Sequence, residues 1–155
     1  MTSIVMLLGS IVVLYSGYNL FIKVSSDHAP TGATSLILAT IALQAAALVT
    51  SLVFATTLAV RGGHSLSLNP TTLGWAFLAG VSIGGAEIAY FYVFRGVGGA
   101  PALPASVVVP VIVAGTIVLT TLAAVFWFGE TVSAIQIAGV LLVVAGLGLL
   151  VYGAG

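Results

Sequence analysis

The sequence predicts an all-α membrane protein, a bundle of five transmembrane helices, and three observations lead there. Of its 155 residues, 61% are hydrophobic and 4% are charged, with a mean hydropathy of +1.32. A water-soluble surface is typically about a quarter or more charged, so this chain cannot cover itself in water. The apolar residues gather into five long runs, parted by short stretches rich in glycine, proline and charge. Such runs suit helices, which satisfy their own backbone hydrogen bonds in lipid; the alternating strands of about 9–11 residues that a β-barrel needs are missing.

The first span is Ile4–Ile22. MTSIVMLLG has no basic leading region, and the apolar run outlasts a signal core of about 7–15 residues, so a retained span is expected. The second, Ala33–Val60, is longer than a crossing needs and is expected to tilt or to end in the interface. Leu73–Phe94, Ala105–Phe128 and Ala134–Tyr152 follow. The breaks carry turn chemistry: KVSSDHAPTG over Lys23–Gly32, RGGHSLSLNPTT over Arg61–Thr72, and RGVGGAPALP over Arg95–Pro104. Gly129–Ser133 is short, which makes spans four and five an antiparallel hairpin. No loop is large enough for a separate domain and no internal repeat is evident, so residues 1–155 read as a single domain.

Span three organises the rest. LGWAFLAGVSIGGAEIAYFYVF is 22 residues long and holds one carboxylate, Glu87. At about 1.5 Å per residue the acid lies about 10 Å from the Phe94 end and about 21 Å from the Leu73 end. An ionisable group at that depth costs a few kcal/mol or more unless it faces protein or a watery cavity. At about 100° per residue, Ala76, Gly80, Gly84, Glu87, Phe91 and Phe94 share one face, so Gly80 and Gly84 offer close helix approach beneath the acid. Two readings stand open: a substrate or proton site, or a carboxylate that fixes packing through a hydroxyl or Arg95.

Other polar residues inside the spans are candidates to join it. Tyr15, Tyr18 and Asn19 share a face of span one. Tyr15 lies seven residues before the end of its span, as Glu87 does, which makes Tyr15 a candidate hydrogen-bond partner and Asn19 a second polar group nearer the mouth. Tyr18 and Asn19 also suit interfacial anchoring. Gln44, in the middle third of span two, serves equally as an interhelical hydrogen bond or a substrate contact. Tyr90, one turn from Glu87, could bond to it or line its cavity. Trp75, Tyr92 and Trp127 read as interfacial belts or lipid face.

The remaining features read as structural. Glu130, with Thr131 and Ser133, stands where orphan N–H groups and the dipole of span five favour it. Gly139 and Gly146 form a small stripe that admits span four or the same helix of a second copy. Pro110 lies inside span four and is expected to kink it. His28 and His64 have no second ligand at metal spacing, so no metal and no cofactor are expected. Cysteine is absent, which removes disulfides and thiolate chemistry together. Net charge is zero with no basic cluster, which speaks against nucleic acid. Gly-x-Ser-x-Gly, paired deep carboxylates and His-Glu-x-x-His are missing, which speaks against an enzyme. Lys23 and Arg95 fall on one side of the membrane and Arg61 on the other, a bias small enough to permit both orientations.

The segment FWFGETVSAIQIAGVLLVVAGLGLLVYG at 126–153 resembles the end of an EamA-type domain of the drug/metabolite transporter superfamily: an aromatic-rich span, a Gly-Glu turn, then a span with spaced glycines. RGVGGAPALPASVVVPVIVAG and the NLFIK that ends span one resemble other parts of that domain. The resemblance implies a secondary transporter, an exporter of metabolites or drugs in a bacterial or archaeal inner membrane. Many members join two five-helix domains related by inversion, so this chain resembles one half of an inverted-repeat transporter fold. Small multidrug resistance relatives carry an essential acid in helix one; the corresponding position here, eight residues before Lys23, is Tyr15, and Glu87 is the deep carboxylate instead.

An odd number of spans leaves the termini on opposite sides, and two oppositely inserted copies would reproduce an inverted repeat with a midplane site. The expectation is an antiparallel homodimer in the lipid bilayer, carrying a small-molecule substrate by alternating access with Glu87 exchanging protons. The alternative is a non-transporting five-helix subunit that pairs with a different half-transporter.

Overall fold

The computed structural model describes residues 2–30, 32–63, 67–96, 98 and 100–153; His64 lies outside them. The described secondary structure is helical: α1 (Thr2–His28), α2 (Ala33–Arg61), α3 (Pro70–Arg95), α4 (Ala105–Phe126) and α5 (Ala134–Tyr152). All five are long and apolar enough to cross a membrane, which marks an integral membrane protein. Hydroxyls along them, such as Thr50, Ser51, Thr56 and Thr57, donate to the carbonyl four residues back and so carry no unmet donor into lipid.

The chain divides into two compact units, Met1–Ala102 and Leu103–Gly155. In the first, α1 and α3 run parallel. Contacts climb both helices together, from Tyr18 with Glu87, through Asn19 with Tyr90, to Lys23 over the Phe94 ring at 5.9 Å. α2 returns antiparallel, so Gln44 meets Gly84 while Ala39 and Ala42 reach the groove beside Phe91. The buried residues of this unit are Ile22, Ser26, Ala29, Leu36, Thr40, Glu87, Tyr90, Phe91 and Phe94. They lie toward the end marked by Lys23 and Arg95. Toward the other end nothing is buried across 3–16, 44–61 or 67–83. The unit is therefore packed at one end and open at the other, and Glu87 lies where the packed end begins.

Helix ends follow backbone chemistry rather than hydropathy. α1 outlasts its apolar run by six residues, because Lys23, Val24, Ser25, Ser26 and Asp27 all tolerate helix and Lys23 pairs with Asp27 one turn on. It stops ahead of Pro30, which disfavours the helical region for Ala29. α3 starts three residues before its apolar run: Pro70 occupies the first turn and the Asn69 side chain accepts from the Thr72 N–H at 2.7 Å. It ends at Gly96, where φ is +73° and an added Cβ would stand 2.5 Å from the Ala100 carbonyl oxygen. Only glycine fits that turn.

In the second unit α4 and α5 pack together as a hairpin. α4 is a single helix across Pro110 and ends at Phe126, two residues before the apolar run does. The Glu130 N–H returns to the Ala124 carbonyl at 3.0 Å, which closes the turn. α5 has the predicted bounds and opens with a capping box between Ser133 and Gln136. Of the four glycines expected to admit close helices, only Gly84 has a neighbour at the position of a Cβ, the Gln44 amide at 3.1 Å. A Cβ on Gly80, Gly139 or Gly146 would meet open space.

Candidate functional site

The site is built from α1, α2 and α3 around Glu87. Glu87 is 2% exposed. The Tyr18 hydroxyl on α1 donates to Oε1, while Oε2 is buried with no hydrogen-bond partner among the described residues. One turn further along α3, the Tyr90 hydroxyl donates to Oδ1 of Asn19 at 2.6 Å. The Asn19 amide nitrogen in turn donates to the Tyr15 carbonyl at 2.8 Å, which fixes which way its side chain is turned. α1 and α3 are thus joined by two opposed hydrogen bonds, one donated by each helix.

The aromatic rings continue the seam. Tyr18 lies 6.4 Å from Tyr90 and Tyr90 lies 4.8 Å from Phe94, ring centre to ring centre. Tyr15 meets Tyr18 edge to face at 6.0 Å. Beyond the Phe94 end, Lys23 is engaged with Asp27 and is not brought to the acid.

A groove of about 290 Å³ opens beside the carboxylate, lined by Leu14, Tyr15, Tyr18, Leu43, Ala47, Ile83 and Glu87. A second groove of about 520 Å³ shares Leu14, Tyr18 and Leu43 with it and runs on past Phe21, Ile22, Ala39 and Phe91. Apart from Glu87 and the two tyrosine hydroxyls, the smaller groove is aliphatic. The second unit holds an apolar groove of about 700 Å³ between α4 and α5, with no charged residue in its wall.

Two expectations from the sequence are corrected by this geometry. Tyr15 does not bond to Glu87; Tyr18 does, and Tyr15 is 62% exposed in the groove wall. Equal spacing from the ends of the apolar runs pairs position 15 with 87, but α1 sits one turn displaced from that register. Tyr90 bonds to Asn19 rather than to Glu87, because residues three apart on α3 reach adjacent residues on α1. Gln44 lies against Gly84, one turn from Glu87, and reaches the acid through no hydrogen bond. Asn19 joins α1 to α3 by accepting from the Tyr90 hydroxyl. Sequence reasoning named Tyr18 only as an anchor; its place three residues from Tyr15 on the same face was the available signal.

Among the described residues no group of three or more His, Asp or Glu side chains is placed to hold a metal. Comparisons with protein-family models, with curated proteins and with solved structures give no match.

Proposed function

We propose that the chain is half of a secondary transporter, exporting small organic metabolites or drugs across a bacterial or archaeal inner membrane by alternating access. The observation that carries this reading is Glu87: an acid inside a membrane-spanning helix, 2% exposed, held by one hydroxyl and with its second oxygen unmet. Acids at such depth mark substrate or proton paths by default, since a purely structural role is served at lower cost by neutral groups. The three-helix unit that holds it, packed at one end and open at the other, supports the same reading. Glu87 lies where a change of opening from one end to the other would exchange its surroundings.

In this mechanism substrate and proton compete for the carboxylate, and Tyr18 follows the exchange by donating to whichever state accepts it. The five-span architecture and the resemblance of its 126–153 segment to EamA-type domains support an antiparallel homodimer as the working unit. Reconstituted vesicles with an imposed pH gradient test transport against a broad solute panel. Transport that survives intact in Glu87→Gln removes the acid from the mechanism. Reporters fused to the C-terminus test the pairing: signal on both sides of the membrane is expected, and signal on one side alone points to pairing with a different half-transporter.

A further inference from the structure

Resting on the transport reading of the same site, we infer that the Glu87 groove recognises small primary and secondary amines, through an N–H donated to Glu87 Oε2, and discriminates against quaternary ammonium ions and amino acids. The argument begins with the unmet oxygen. Tyr18 already occupies Oε1, and no described side chain donates to Oε2. The nearby amides are engaged elsewhere: that of Gln44 lies against Gly84, and that of Asn19 donates to the Tyr15 carbonyl. A buried acceptor without a donor is costly, the more so when charged, so this position has a standing demand for a hydrogen-bond donor. A cation that carries N–H meets both the charge and the lone pair; a quaternary ammonium meets only the charge, and its methyl groups keep it beyond hydrogen-bond distance.

The walls narrow the class further. Leu14, Leu43, Ala47 and Ile83 receive an apolar body, and Tyr15 and Tyr18 add two aromatic rings, a residue type that attracts cations, to the same wall. A volume of about 290 Å³ stands at the small end of the roughly 300–1,000 Å³ typical of ligand pockets, which suits a single ring or a short alkyl chain. No lysine, arginine or histidine lines the groove. A substrate carboxylate would therefore meet no cation there, only aliphatic wall, two tyrosine hydroxyls and the like charge of Glu87, which disfavours amino acids. Oε2 is sealed in this state, and an incoming donor reaches it as the carboxyl turns about its own side-chain torsions into the groove that it lines.

The test is equilibrium binding to the full chain in detergent micelles, with benzylamine, benzyltrimethylammonium and phenylalanine as matched probes. Benzylamine is expected to bind at least about tenfold more tightly than either of the others, the scale of one charge-assisted hydrogen bond. Binding is expected to vanish in Glu87→Gln. Leu43→Trp keeps the carboxylate and fills the groove, and it should also abolish binding, which covers the case of a misfolded Glu87→Gln protein. Equal affinity for benzylamine and benzyltrimethylammonium, or benzylamine binding unchanged by Leu43→Trp, overturns the inference. Vesicle transport separates it from the broader reading. Selective benzylamine binding without translocation sinks the transporter and leaves the amine site standing. Glu87-dependent carriage of another solute that benzylamine does not inhibit sinks the amine site and leaves the transporter standing.

Discussion

The Tyr18 hydroxyl donates to the Glu87 carboxylate across the α1–α3 seam, and Tyr15, one turn earlier on the same face, does not. Tyr18→Phe leaves both carboxylate oxygens unmet and is expected to cost about 1–3 kcal/mol, above the roughly 0.6 kcal/mol average for interhelical bonds in membranes. Tyr15→Phe removes a hydroxyl that has no hydrogen bond among the described residues and should stay within about 0.5 kcal/mol. Denaturant unfolding of both variants in micelles decides the register. A larger loss in Tyr15→Phe would mean that the helices meet one turn away from where the structure joins them.

Glu87→Gln separates stability from function. The amide oxygen can still accept from Tyr18, the volume is conserved, and the cost of a buried charge is gone. The expected outcome is an unfolding midpoint equal to or above that of the wild type, together with transport reduced by at least about tenfold, or about 1.4 kcal/mol. Loss of transport with loss of fold would assign Glu87 a packing role instead.

Much of this was legible in the sequence, for identifiable reasons. The five apolar runs and the bounds of α5 follow from hydropathy and from the Ser133 cap. The place of Glu87 along α3 follows from counting residues within the run. The end of α1 was hidden because hydropathy marks the thickness of the lipid core, whereas a helix ends where the backbone cannot continue. Here that is at Ala29–Pro30, beyond Lys23 and Asp27. The Tyr18 partnership was hidden for a related reason. Depth estimated from span ends carries the error of those ends, and six misplaced residues exceed the three that separate Tyr15 from Tyr18. Predicting one face from Ala76 to Phe94 was right about phase but not about extent: burial starts at Glu87, because the helices are unpacked below Gly84.

The glycines of α3 should respond in opposite directions. Gly96→Ala places a Cβ 2.5 Å from the Ala100 carbonyl oxygen at φ +73°. It should therefore destabilise by more than about 1 kcal/mol, beyond the ordinary range for glycine replacement. Gly80→Ala meets open space within a helix and should stabilise by up to about 1 kcal/mol. Thermal unfolding in micelles and in bilayers checks both. A Gly80→Ala protein stabilised in dilute micelles but destabilised in bilayers would show a second helix docking on that face.

The Asn19–Tyr90 bond carries the last prediction, because it holds the same two helices together without touching the acid. Tyr90 is 7% exposed, so Asn19→Leu strands its hydroxyl in an apolar seam; the variant also loses the tie from Asn19 to the Tyr15 carbonyl. A loss of about 1–3 kcal/mol is expected. Tyr90→Phe strands only the Asn19 oxygen, which is half-buried and costs less. Combining the two removes donor and acceptor together, and the double variant should recover part of the summed loss, with a coupling of about 0.5–1.7 kcal/mol. Amine binding at Glu87 should be retained throughout, because Tyr18 and the walls of the smaller groove are unchanged. If the cycle shows no coupling, the bond does not form in the membrane. If amine binding falls in step with stability, the seam positions the acid as well as joining the helices.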